Sequence, residues 1–83
     1  FVALSQRVHA AIARLSELHR GRDILAVTHG GTIRAALSLA LDLAPEAALS
    51  FSIDNLSLTR IDHIPGPSGS RLWRVGRVNQ PPL

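Results

Sequence analysis

The sequence predicts an α/β chain, on three observations. Apolar side chains recur at helical spacing over residues 2–20. An unbroken apolar run, Ile24-Leu25-Ala26-Val27, leads through Thr28 and His29 into a glycine pair, and a second helical pattern follows. From Ser50 onward the apolar period falls to two, the spacing of strands. Helix–strand–helix followed by β-strands is the order of a layered α/β arrangement.

The first helix is predicted over 2–20. Val8, Ala11, Ile12, Leu15 and Leu18 share one face, and Arg7, Arg14 and Glu17 lie on the other. Gly21 is its stop, and His19 and Arg20 suit the negative end of the helix dipole. Residues 24–28 lack in/out alternation, so they are predicted to be a central strand covered on both faces. Gly30 and Gly31 break that strand. The second helix is predicted over 32–41, with Ile33, Ala36, Leu37, Ala40 and Leu41 as its buried stripe. It ends across 42–45, because the residue before a proline avoids helix. Pro45 then opens a single short turn. Strands are predicted across 50–79. Phe51 and Ile53, then Leu56 and Leu58, alternate with polar residues, and Asp54-Asn55 marks a turn or bulge. Pro65, Gly66, Pro67 and Gly69 set a loop over 64–70 before the last strand, 72–78, whose arginines suit a sheet edge.

A central strand needs neighbours on both sides, and a parallel neighbour needs a crossover helix. Nothing ahead of 24–28 supplies one. One edge or face of the sheet is therefore expected to be open, covered by a segment outside this sequence or by self-association with another copy.

Composition removes several function classes. At 83 residues the chain is one small domain at most, burying about 60–65% of its unfolded surface. It has no cysteine, hence no disulfide and no thiolate metal site. His9, His19, His29 and His63 lack the spacing of metal ligands, so no metal is expected. All nine basic residues are arginine, scattered along a chain with one Trp, two Phe and no Tyr. That is not the basic stripe with aromatics of a nucleic-acid binder. The apolar runs are far too short for a membrane span, and no charged leader precedes them, so neither a membrane nor secretion is expected and the cytoplasm is the predicted location. The sequence also lacks methionine, at position 1 and elsewhere, which suggests that a segment precedes it.

The chemistry concentrates at His29. A strand that ends in a histidine and two glycines, with a helix starting there, presents free backbone N–H groups and the positive end of the helix dipole, which suit a phosphate. An imidazole at that point adds a donor or a charge to the same anion. Taken alone, a histidine at a strand end is more often structural. Gly30 and Gly31 read as a tight turn with unusual backbone angles and as room for a phosphate to approach the backbone, and both can hold at once. There is no lysine and no Gly-x-x-x-x-Gly-Lys, so this is not a Walker loop, and no Gly-x-Ser-x-Gly elbow is present for a serine hydrolase.

The stretch "ILAVTHGGTIRAALSLAL" resembles the second-histidine motif of the histidine phosphatase superfamily, and "SIDNLSLTRID" and "RLWRVGRVN" resemble its two closing strands. The superfamily includes phosphoglycerate mutases and α-ribazole phosphatases. The likeness runs from Phe1 to about Asn79. It implies part of a three-layer phosphoglycerate mutase-like sandwich, with residues 1–83 the C-terminal portion of a single histidine phosphatase-type domain. The Arg-His-Gly triplet that carries the family's nucleophilic histidine does not occur here, and the family's acid/base carboxylate also falls outside this sequence.

The resemblance implies roles for His29, the Gly30-Gly31 pair and Asn55, while Thr28, Thr32 and Arg34 are read from their own positions. His29 is the second histidine, which hydrogen-bonds the phosphoryl group and is not the nucleophile. Gly30 and Gly31 bring backbone N–H groups to the phosphate, chiefly Gly30. Thr28 and Asn55 are secondary site residues, with an Asx turn equally able to explain Asn55. Thr32 offers a hydroxyl to the pocket or caps the helix. For Arg34 a salt bridge is favoured over a phosphate clamp. By the same resemblance the substrate is a phosphorylated small molecule, no cofactor is implied, and the chain alone is expected to be inactive. A non-catalytic truncated interaction module and a small anion-binding regulator are the rival readings.

Overall fold

The computed structural model describes residues 1–65 and 71–82. Helix α1 spans Val2–Leu18, α2 spans Gly30–Ala40 and α3 spans Pro45–Ala48; strands β1, Leu58–Pro65, and β2, Arg71–Gln80, follow. The mixed α/β class read from the sequence is the class observed. The predicted loop over 64–70 lies mostly outside the described residues.

α1 stops earlier than residue 20. His19 donates its N–H to the Leu15 carbonyl at 3.0 Å as the C-cap, and Gly21 reverses the chain at φ 80°. α2 begins at Gly30 instead of Thr32. His29, with extended backbone at φ −121° and ψ 171°, is its N-cap, so Thr32 lies inside the first turn and is not the cap. At the other end Asp42 takes φ 53°. Leu43 N–H reaches the Ser38 carbonyl at 2.9 Å, and Asp42 N–H reaches that of Leu39 at 3.3 Å, the paired bonds of a Schellman cap. α3 starts on Pro45, whose absent N–H costs nothing at a helix start.

The helices make the core. Ala35, Leu37 and Ala48 are fully buried, and Ser5 of α1 and Ser38 of α2 are buried between them. His9 of α1 ties the two helices together. Its Nε2 lies 3.0 Å from the Ala35 carbonyl and 2.8 Å from Ser38 Oγ, and Ser38 donates to the same carbonyl at 2.7 Å. The Ser5 hydroxyl has no partner among the described residues. The buried side of α2 is thus Ala35, Leu37 and Ser38, whereas Ile33, Ala36 and Ala40 of the predicted stripe are half-buried and Leu41 is exposed. The face toward α1 and α3 is covered, while Ile33 and Ala36 look onto an open trough.

Two predicted strand regions take a different form. Residues 24–28 have no ladder partner, and Leu25 and Val27 are 83% and 95% exposed. Nothing among the described residues lies alongside to pair with the segment. Residues 50–57 are turns and irregular chain, with Leu56 at φ 63°. The sheet among the described residues is the β1–β2 antiparallel pair, with His63 opposite Trp73 and Ile61 opposite Val75, and register shifts on either side of Arg60. The His63 and Trp73 rings stack at 4.4 Å. Asp62 accepts a hydrogen bond from Arg60 Nε at 2.9 Å. That bond, reinforced by the carboxylate charge, holds the guanidinium pKa above its ordinary value.

An open trough of about 1480 Å³ runs between α1, the extended segment and the hairpin, with Val8, Ile12, Leu15, Val27, Ile33 and Ile61 among its walls. Among the described residues no helix is long and apolar enough to cross a membrane.

Candidate functional site

The N-terminus of α2 is where the sequence placed its chemistry. The N–H groups of Gly30, Gly31 and Thr32 precede any carbonyl able to receive them within the helix. The first intrahelical bond is Ile33 N–H to the His29 carbonyl, at 3.2 Å. His29 is exposed and makes no side-chain hydrogen bond among the described residues. Its ring turns back along the first turn of the helix, with Nδ1 3.7 Å from where a Cβ on Gly31 would sit. One imidazole and three amides without intrahelical acceptors therefore share one end of a helix, with the helix dipole behind them.

Backbone angle does not account for the two glycines. Gly21 is the glycine with positive φ among the described residues, so Gly30 and Gly31 follow ordinary helical geometry. A Cβ on Gly30 would lie 3.1 Å from Arg34 Nη1 and 3.7 Å from Ile53 Cβ, and one on Gly31 would touch Leu4 Cδ2 at 3.4 Å. The unusual turn angles considered from the sequence are absent.

Thr28 is exposed on the extended segment next to His29. Asn55 is exposed in the 54–57 turn, where the Ser57 hydroxyl donates to the Asp54 carbonyl at 2.8 Å. Arg34 makes no ion pair among the described residues. Its Nε donates to the Phe51 carbonyl at 2.9 Å. The geometry joins His29, Gly30, Gly31 and Arg34 around one turn and packs Ile53 against it; the Asn55 side chain makes no hydrogen bond there.

One residue escaped the sequence reading. Asn79, at φ 55°, accepts the Asp54 N–H at 2.6 Å through Oδ1 and donates Nδ2 to the Asp54 carboxylate at 3.1 Å. Its own N–H reaches Thr59 Oγ1 at 3.2 Å. The signal available was Asn79 itself, a residue that tolerates the left-handed region, just after the last strand pattern.

A helix N-terminus with an exposed imidazole beside it suits an anion, and comparison with known proteins fixes the class. The histidine phosphatase superfamily (branch 1) model matches residues 1–76, and the chain belongs to that superfamily. It is 37% identical over 62 residues to the adenosylcobalamin/alpha-ribazole phosphatase of Escherichia coli (strain K12), covering 75% of this chain and 30% of that protein. It is 35% identical over 72 residues to a probable phosphoglycerate mutase GpmB of Klebsiella pneumoniae (strain 342), covering 87% and 34%. With a probable phosphoglycerate mutase GpmB of Salmonella newport it shares 40% over 60 residues, covering 72% and 28%. The chain thus spans about a third of the length of these curated relatives. No solved structure matches it.

Proposed function

We propose that this chain is the phosphate-anchoring part of an enzyme that hydrolyses or transfers phosphomonoesters through a phosphohistidine carried on a segment outside this sequence. The observation that carries the reading is the exposed His29 ring beside the free N–H groups of Gly30, Gly31 and Thr32. Phosphoryl transfer asks a protein mainly for position and for charge stabilisation on the equatorial oxygens. His29 donates a hydrogen bond to one such oxygen and the first-turn N–H groups donate to another, an arrangement that gains strength as charge builds in the transition state. Thr28 and Asn55 flank the site as secondary contacts. The attacking histidine and the acid/base carboxylate come from the outside segment, so the chain alone binds an anion without turning it over.

The relatives' names include a phosphatase and a mutase, and either chemistry fits this end of α2. The substrate class is a phosphorylated small molecule in the cytoplasm. The resemblance implies no metal or organic cofactor. The trough and the unpaired 24–28 segment favour burial against the outside segment of the same domain. They also suit a second reading, a non-catalytic interaction module.

An aryl phosphate assay tests this. The 83-residue chain should be inactive, while the product of the longer reading frame should turn over, and His29→Ala should lower its kcat by about 10²–10³-fold. Full activity of His29→Ala would overturn the reading. A reading frame with no Arg-His-Gly upstream would favour the module.

A further inference from the structure

Arg34 sits one helical turn after Gly30, so its side chain lies over that residue. It is half-buried, its Nε is committed to the Phe51 carbonyl at 2.9 Å, and its Nη1 and Cζ lie 3.1 and 3.8 Å from the Cβ position of Gly30. Ile53 closes on the same spot, at 3.7 Å. No acidic side chain among the described residues pairs with it, and a cation beside a helix N-terminus is electrostatically disfavoured. Charge neutralisation therefore does not account for its placement. A guanidinium can do here what an ammonium cannot: the Nε directs one bond to the loop carbonyl while the planar fork lies where a Gly30 side chain would stand.

We infer that Arg34 is a positioning residue that fastens the 51–57 loop onto the His29-Gly30-Gly31 turn, and that Gly30 lacks a side chain to admit it. The inference deepens the phosphoryl-site reading of His29 and rests on it for its consequence. The loop is pinned twice, at Phe51 by Arg34 and at Asp54 by Asn79. Asn55 follows the second pin directly. Arg34 thereby sets where Asn55 and the first-turn amides stand relative to each other, without touching the substrate.

The experiment is a double-variant cycle on the ¹⁵N-labelled 83-residue chain, with two readouts. The first is the amide shifts of Asp54, Asn55, Leu56 and Ser57. The second is the affinity for inorganic phosphate, followed at the Gly31 amide. Arg34→Ala and Gly30→Ala should each move the loop amides and weaken phosphate binding about fivefold, the loss of one hydrogen-bonded contact. In the double variant Gly30→Ala should add almost nothing, since the guanidinium it displaces is gone. Arg34→Lys should fail to rescue; it is also the variant to read if Arg34→Ala loses cooperative melting. Additive effects, unmoved loop amides or full rescue by lysine would overturn the inference. A wild-type chain that binds no phosphate but shows the non-additive loop response would sink the phosphoryl reading and leave the fastening standing.

Discussion

Leu37 and Val27 belong to equally apolar stretches, yet the first is fully buried and the second is 95% exposed. The difference lies in what each backbone needs. A helix satisfies its own N–H and C=O groups, so α2 requires only a surface to lie on, and α1 and α3 provide it. An extended segment has no internal hydrogen bonds and depends on neighbours for each of them. Among the described residues, nothing gives 24–28 the ladder or the cover. Apolar content names a residue as a candidate for the core; the partner decides whether it arrives there.

The sharpest way to break this comparison is truncation. Leu37→Ala should cost about 2–5 kcal/mol in urea unfolding, as expected for a cavity in a packed site. Val27→Ala, at a concentration low enough to keep the chain monomeric, should stay within about 0.5 kcal/mol, as at an exposed position. Equal losses would show that 24–28 is covered in solution. The next effect concerns association. The chain should self-associate as concentration rises in sedimentation experiments, through its exposed apolar segment. Leu25→Lys combined with Val27→Lys should return it to monomer and make its melting temperature independent of concentration, whereas persistent association would place the contact elsewhere. The smallest effect lies inside the helical pair. Ser5 has a buried hydroxyl without a partner among the described residues, so Ser5→Ala should stabilise the chain by up to about 1 kcal/mol. Destabilisation there would reveal a bound water satisfying the hydroxyl.

Much of this was legible. The two long helices, the hairpin of the last strands and the placing of His29 at a helix start come from local period and turn chemistry. Partnership was harder to read. The apolar run 24–28 looks like a central strand because its side chains suit one, but side-chain character carries no count of neighbouring strands. Gly30 and Gly31 suggested unusual angles, yet among the described residues the left-handed non-glycine positions are Asp42, Leu56 and Asn79, none of them marked by a glycine. The Asp54–Asn79 contact joins residues 25 apart, and no local pattern announces a contact of that range. The hold of Arg34 over Gly30 was closer to view, since residues four apart share a helix face; its acceptor, a loop carbonyl, was not.

The two bonds between Asp54 and Asn79 have a consequence for strand alignment. A two-stranded ribbon exposed to water has little to distinguish one alignment from the next, and β1 and β2 already shift register on either side of Arg60. Sliding β2 by one residue would turn Asn79 to the opposite face, and sliding it by two would carry it about 7 Å away. Either slip forfeits both bonds to Asp54. The amide of one asparagine thus acts as an index mark for the ribbon, selecting the alignment in which Trp73 meets His63.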